Sequence, residues 1–470
     1  MIRSGVLLAP HPVRRSRCGV LPVNLDVGRL TDYEGLVEPS LRARVALAAD
    51  RLRGLRVVHI NATPFGGGVA EILRSLVPMM NDLGLEASWH VLDPDEAFFD
   101  VTKKLHNGLQ GKPTSLSARE IERYWRHNEL TAQQILELSG QPDVLVLHDA
   151  QVLPVAMFLP PTTQMVWHCH VDLTTPDETV RDLVEPLTSL YSRCVVSMPE
   201  YASPGMPLDR VSVFPPAIDV FTAKNERLPI KLARSLVAGL GIDLSRPLIT
   251  QVSRFDPWKD PWGVIDAYRL VKPEVPGLQL ALVGALMAQD DPEGAGVLES
   301  VRQYAGDDPD IHVIADPEVA TDRVVNALQR LSSAVLQKSV REGFGLTVSE
   351  AMWKGRPVIG GDCGGIRAQI RDGENGFLVS DVRACADRVL YLLSHPEEAR
   401  RIGASGRETV RGEFLMPRLL ADYLSLFEEM LSLPSRSEEA VEMGRSEGNT
   451  MSAPTEAIRR PHIHEEVAAP

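Results

Sequence analysis

Short runs of apolar, mostly β-branched residues alternate along most of the chain with longer stretches in which apolar positions recur every third or fourth residue. Continuous apolar runs suit strands buried on both faces of a parallel sheet, and the longer spacing suits amphipathic helices that cover such a sheet. The pattern predicts a helix over 40–53 and strands over 56–61, 88–92, 144–147, 164–168, 195–198 and 211–214. After Pro215 and Pro216 the alternation restarts, with strands over 247–252, 279–283, 311–314, 334–336 and 357–359. Helical stretches fall at 69–83, 116–138, 264–271, 322–331 and 347–354. The expectation is α/β: two doubly wound units divided near 216–230, without a short-period repeat. The stretch from Pro434 has almost no bulky apolar content. It buries too little to offset the cost of ordering the chain, so 434–470 is expected to be a disordered tail. Its His462 and His464 have no neighbouring ligands and read as solvated.

Composition narrows the function. A chain of 470 residues is too long for one ordinary core and suits two domains of about 150–200 residues each. With 63 acidic against 49 basic residues, the formal charge is −14. That balance argues against nucleic acid as a partner and leaves room only for a local basic patch serving a small phosphorylated ligand. The five cysteines, Cys18, Cys169, Cys194, Cys363 and Cys385, are scattered without a CxxC pair. They read as reduced thiols of a cytoplasmic protein. No run approaches the roughly 20 apolar residues of a membrane span. The arginine-rich start carries too short an apolar stretch for a signal peptide, so 1–29 is expected to be a flexible extension.

In open parallel sheets ligands bind beyond the carboxyl ends of the strands, and four clusters sit at such places. Gly66, Gly67 and Gly68 lie between a strand and a helix. Three glycines allow close backbone approach, and a helix N-terminus offers unpaired N–H groups to an anion. The loop reads as a phosphate or sugar contact, or as a tight turn alone, and has neither Walker A nor GxGxxG spacing. His168, His170 and Asp172 follow another strand. Two histidines two residues apart point to one side of an extended chain. Ligand hydrogen bonding, a structural role and metal binding all remain open for them. Arg254 and Lys259 share a short loop after the first strand of the second unit, where a fork-shaped guanidinium and an ammonium together suit a diphosphate. The fourth cluster, Arg341-Glu342-Gly343-Phe344-Gly345-Leu346-Thr347, leads into a helix carrying Glu350. Its glycines precede a helix N-terminus, and a carboxylate accepts hydrogen bonds from paired hydroxyls, so one glutamate suits a ribose and the other a sugar.

These residues resemble the retaining nucleotide-sugar glycosyltransferases of the GT-B fold, whose marker is two glutamates flanking a Gly-Phe-Gly loop, here Glu342-GFGLTVS-Glu350. The similarity is closer to the trehalose glycosyltransferring synthases. They carry GGGVAEIL (66–73 here), HNxLQG (106–111), CHxDL (169–173), PEY (199–201), QVSRFDPWK (251–259), DDPEG (290–294) and REGFGLTVSEAMWKG (341–355). The resemblance runs from about residue 30 to 431. One departure is Asp260, where a glycine commonly follows the lysine.

The resemblance implies two Rossmann-like domains facing a central cleft. They comprise an acceptor-side domain over 30–228, a nucleotide-sugar domain over 229–412, and a C-terminal helix over 413–433 that packs back toward the first. It implies a glucosyltransferase making trehalose reversibly from ADP-, UDP- or GDP-glucose and free glucose. Arg254 and Lys259 would hold the diphosphate, Glu350 the ribose and Glu342 the donor glucose. Gly343, Phe344, Gly345 and Leu346 would place that sugar through their amides, and His170 would stand at the donor sugar. Gly66, Gly67 and Gly68 would cover phosphate and acceptor, with Asp172 among the sugar-binding residues. No cofactor or metal is expected, and the look-alikes are usually homodimers. The rivals are a retaining trehalose phosphorylase, a GT-B transferase with another sugar acceptor, and a catalytically silent nucleotide-sugar-binding protein.

Overall fold

A computed structural model describes residues 19–138, 141–284 and 293–432. In chain order the strands are β1 (Gly19–Pro22), β2 (Arg56–Asn61), β3 (Glu86–Asp93), β4 (Val144–His148), β5 (Met165–Cys169), β6 (Arg193–Val196) and β7 (Val211–Val213). They continue with β8 (Leu248–Val252), β9 (Gln279–Val283), β10 (Ile311–Ile314), β11 (Ala334–Gln337), β12 (Val358–Gly361) and β13 (Phe377–Val379). Two sheets result, ordered β1-β3-β2-β4-β5-β6-β7 and β10-β9-β8-β11-β12-β13. Every pairing is parallel except β1 with β3. In each sheet the strand order reverses beside the first parallel strand, at β2/β4 and at β8/β11, which opens a crevice at the carboxyl ends of those strands.

Apolar residues on both faces explain why these runs are strands. Val57 and Val146 enter one core with the helices Pro39–Arg51, Gly68–Asp82 and Met416–Ser432, while Val58, Ile60, Leu145 and Leu147 enter a second with Glu96–Leu109, Ala118–Glu137 and Glu178–Thr188. The predicted helix over 116–138 starts at Ala118 because Ser117 and Glu120 form a reciprocal capping box. The predicted strand over 88–92 extends at both ends, since β2 pairs with it from Glu86 to Val91 and β1 from His90 to Asp93.

The chain crosses from the first sheet to the second near Pro216 and returns near Leu415, where Ile218 and Leu415 form a bridge. The returning helix Met416–Ser432 lies against Pro39–Arg51, with ion pairs Arg51–Glu428 and Arg193–Glu429. Arg418 donates to the carbonyls of Pro215 and Pro216, which pins the two crossings together.

The flexible extension expected over 1–29 is corrected from Gly19 onward. β1 pairs antiparallel with β3, and the Val20 N–H donates to Gln134 Oε1 at 2.7 Å. Four residues ending in proline carry no readable period; an open sheet edge orders them. The remainder of the extension, 1–18, and the tail over 434–470 lie outside the described residues.

Candidate active site

The carboxyl ends of the two sheets line a cavity of about 680 Å³ that holds residues from both. Gly66, Gly67, Gly68, His170, Arg254, Lys259, Glu342, Gly343, Phe344, Gly345, Leu346 and Glu350 all border it. Geometry requires glycine at Gly66, with φ 87°, and at two positions of the second loop. Gly345 has φ 83°, a left-handed conformation that starts the helix Leu346–Trp353 facing the cavity. Gly343 passes so close to the His170 carbonyl that a Cβ would lie 2.0 Å from its oxygen. The glycine loop of the second unit is thereby laid directly on the histidine of the first.

Asp260 accounts for its own departure from glycine. It adopts φ 47° and ψ 54°, the left-handed region a glycine would occupy, and its carboxylate accepts from Gly263 N at the start of helix Pro261–Val271. The same carboxylate pairs with buried Lys338. Asparagine and aspartate tolerate this conformation when a local hydrogen bond compensates.

Lys259 Nζ lies 2.8 and 2.7 Å from Oε1 and Oε2 of Glu342, and Oε2 also accepts from Gln337 and Ser339. Arg254 sits beside Asp256, whose carboxylate is 3.6 Å from Lys103 of the first unit. Burial alone would raise the Asp256 carboxyl; Lys103, Lys259 and Arg254 outweigh it and hold it below the usual range. Three cations, Lys103, Arg254 and Lys259, thus gather around the two carboxylates Asp256 and Glu342. Nearby His106 is pushed down to about 3 by burial and then by Lys103 and Arg254, so it stands neutral.

Glu350 is fully buried on the helix after the glycine loop. Its Oε2 lies 3.5 Å from Gln329 Nε2, its Oε1 is 3.7 Å from Lys224 Nζ, and Oε1 makes no hydrogen bond. A buried carboxylate oxygen without a donor is costly, and a vicinal diol is a group that would satisfy it. Lys224 also pairs with Glu71 on the helix after the glycine loop of the first unit. Burial would lower the Lys224 ammonium, but Glu350 and Glu71 more than reverse that. Behind them Lys354, bonded to Asn225 and the Glu350 carbonyl, is lowered to about 7, chiefly by burial.

Asp172 stands apart from these residues. It does not border this cavity but a neighbouring one of about 550 Å³ with Tyr201, Arg341 and Arg367. Its carboxylate is committed to Thr174 and to Arg341 at 3.3 Å, an ion pair across the two units. It clamps the loops that carry His170 and Glu342.

Sequence reasoning missed His59, His148, Asp149 and Lys224. Asp149 holds φ 63° and ψ −176°, a strained conformation at the cavity rim, while its side chain accepts from His170 N at 2.7 Å. Of the histidine pair, His170 borders the cavity, whereas His168 is buried against Tyr423 of the returning helix. Their rings stack at 3.9 Å, as same-side residues of a strand should. Among the described residues, His148, His168 and His170 are the one trio with metal-ligand spacing, each offering a nitrogen within 4.8 Å of the others. His148 Nδ1 and His170 Nε2 are, however, hydrogen-bonded to each other at 3.0 Å. That spacing serves either a shared proton or a shared ion. No helix among the described residues is long and apolar enough to cross a membrane, and four described cysteines are unpaired with one another.

Comparison with known proteins agrees with this geometry. Residues 59–203 match the family described as trehalose synthase, N-terminal domain, and residues 234–409 match glycosyl transferases group 1. The chain is 46% identical over 407 residues to a trehalose synthase of Rubrobacter xylanophilus, covering 86% of this chain and 97% of that protein. It is 40% identical over 402 residues to a trehalose synthase of Pyrococcus horikoshii, covering 86% and 96%. A trehalose phosphorylase of Grifola frondosa is 27% identical over 416 residues, covering 78% of this chain and 56% of that protein. The fold is similar to a sucrose-phosphate synthase of Thermosynechococcus elongatus, with TM-score 0.62 and 18% identity over 80% of this chain and 99% of that one. It is equally similar to an E. coli trehalose-6-phosphate protein solved with UDP-2-fluoro glucose, with TM-score 0.63 and 14% identity over 81% and 100%.

Proposed function

The chain belongs to the trehalose synthase family of GT-B glycosyltransferases, and from that premise we propose that it makes trehalose reversibly from a nucleoside-diphosphate glucose and free glucose. Transfer proceeds with retention of configuration. An α-linked donor transferred onto the anomeric hydroxyl of α-glucose gives the two α-linked carbons of trehalose.

The observation that carries this reading is Glu350. A fully buried carboxylate with one oxygen lacking a hydrogen bond, on the same wall as Arg254 and Lys259, supports a ribose diol joined to a diphosphate. Free phosphate would leave that oxygen unsatisfied, which weighs against the phosphorylase reading. Arg254 forks onto the diphosphate and Lys259 neutralises the charge that grows as the C1–O bond breaks, with the N–H groups of helix Leu346–Trp353 adding to it. Lys259 already touches Glu342, so this lysine links the leaving phosphate to the carboxylate that holds the donor hexose. The glycines at 66–68 cover the phosphate and acceptor from the first unit. The acceptor hydroxyl attacks C1 from the face of the leaving group and its proton passes to the departing phosphate oxygen. This needs neither a protein nucleophile nor a metal.

The test supplies purified protein with glucose and, separately, ADP-, UDP- and GDP-glucose, with trehalose plus phosphate as a parallel arm. Trehalose and nucleoside diphosphate should appear together in at least one nucleotide arm. Turnover confined to the phosphate arm overturns the reading in favour of a phosphorylase.

A further inference from the structure

Three histidines form one hydrogen-bonded file at the floor of the cavity. His59 lies on β2, His148 ends β4 and His170 follows β5, and β4 stands between β2 and β5 in the sheet. His59 Nδ1 is 3.1 Å from His148 Nε2, and His148 Nδ1 is 3.0 Å from His170 Nε2. His59 and His148 are fully buried, and of the three only His170 borders the cavity. Burial holds all three neutral, with His59 and His170 pushed down to about 3.

A neutral imidazole has one N–H and one lone pair, so a file of three has two self-consistent proton arrangements. With every proton on Nε2, the file ends in a buried His59 Nε2–H, and that nitrogen has no partner. With every proton on Nδ1, His59 Nε2 is left as a lone pair, and the opposite end is the Nδ1–H of His170. An orphaned buried N–H is the rarer and costlier of the two defects. The file therefore runs outward: His59 donates to His148, and His148 donates to His170.

We propose that His59 and His148 are positioning residues that fix His170 as its Nδ1–H tautomer, a neutral hydrogen-bond donor facing the donor hexose. The inference rests on the placement of His170 at the donor sugar given above. Its consequence is chemical. Positive charge develops at C1 in the transition state, where an imidazolium would oppose the reaction. A neutral imidazole with its lone pair already occupied offers a donor to a sugar hydroxyl and cannot act as an acceptor. The backbone side is fixed as well, because Asp149 accepts from His170 N and the His168 ring lies stacked on His170.

The test is spectroscopic first. Full-length protein labelled with ¹⁵N-histidine, with the His170 signals assigned by their loss in His170→Asn, should give the Nδ1–H pattern for His59, His148 and His170 in long-range ¹H–¹⁵N correlation at pH 7. His148→Leu removes the donor; the His170 pattern should shift toward Nε2–H, with turnover falling roughly tenfold, the worth of one lost hydrogen bond, and KM for the nucleotide-glucose little changed. His148→Asn places an amide N–H where Nδ1–H stood and should restore both the His170 pattern and most of the turnover. An Nε2–H pattern for His170 in the wild-type protein overturns the proposal, as does a His148→Leu protein with the His170 tautomer and turnover unchanged. One equivalent of zinc bound through these rings on purification overturns it too. The tautomer spectrum needs no substrate, whereas failure of the nucleotide-sugar reading shows as missing trehalose in the panel assay, so the two failures are seen separately.

Discussion

Replacing Lys259 by alanine should damage the protein in two ways that one further substitution can separate. Lys259 and Glu342 form a two-oxygen contact with side chains only 16% and 10% exposed. Removing the cation leaves a mostly buried carboxylate supported only by Gln337 and Ser339, at 3.3 and 3.1 Å. Breaking a buried pair from one side costs about 3–5 kcal/mol, and the two surviving hydrogen bonds put this case near the lower end, at about 3 kcal/mol. Turnover should fall further for its own reason. Losing one stabiliser of the leaving diphosphate raises the barrier by about 3–4 kcal/mol, on the order of a few hundred-fold in rate. Adding Glu342→Gln to Lys259→Ala removes the stranded charge, so urea unfolding should return to within about 1 kcal/mol of wild type. Initial rates of trehalose formation at saturating nucleotide-glucose should stay low in the double variant, and below those of Glu342→Gln alone. A loss below about threefold in Lys259→Ala, or recovery of rate along with stability in the double variant, would refute the assignment to the leaving group.

Glu350→Gln loses charge-assisted hydrogen bonds worth about 1.5–3 kcal/mol each, so calorimetry should find nucleoside diphosphate bound roughly tenfold or more weakly. Glu342→Gln should leave that affinity nearly unchanged while cutting turnover, since the product contains no hexose; equal losses in both variants sink this division of labour. Lys354 is lowered to about 7 in the fold from an unfolded value near 10.4. Between those pH values the unfolded chain binds the extra proton, so the Lys354 contribution to stability rises with pH, by up to about 1.4 kcal/mol per unit. Unfolding of wild type and Lys354→Met compared from pH 7 to 10 should show that slope in the wild type alone, and parallel curves would count against it. Activity should survive exhaustive chelation; full loss that a divalent ion restores would revive the trio His148, His168 and His170 as a metal site.

Much of this site was legible because parallel strands buried on both faces appear as bare apolar runs, and the groups just beyond them face the crevice. That rule picked out Gly66, His170, Arg254 and Glu342 without knowledge of which strands are neighbours. What it missed depends on that knowledge. His59 and His148 sit 89 residues apart, and only the order β2-β4-β5 turns them into partners of His170. Lys224 lies beyond the proline crossing, on no periodic element, and reaches Glu71 and Glu350 through the packing of one unit on the other. Asp172 lies apart from the others for the opposite reason. It follows the right strand, but its neighbours Thr174 and Arg341 take its carboxylate. Asp260 holds a left-handed backbone without being a glycine, because its own carboxylate accepts from Gly263 N.

The return of helix Met416–Ser432 to the first sheet sets an order on the birth of the protein. Leu419, Leu420, Tyr423 and Phe427 share one core with Val57, Leu76 and Trp89, so the first sheet is finished by a stretch synthesised well after it. At typical translation rates the ribosome needs roughly 10–40 s to add the intervening 200 or so residues. Throughout that interval the nascent first sheet presents an uncovered apolar face and a His168 still waiting for Tyr423. A nascent-chain pull-down with a hydrophobic-surface chaperone should therefore peak for stalled chains ending between β8 and β13 and fall once Ser432 has cleared the exit tunnel.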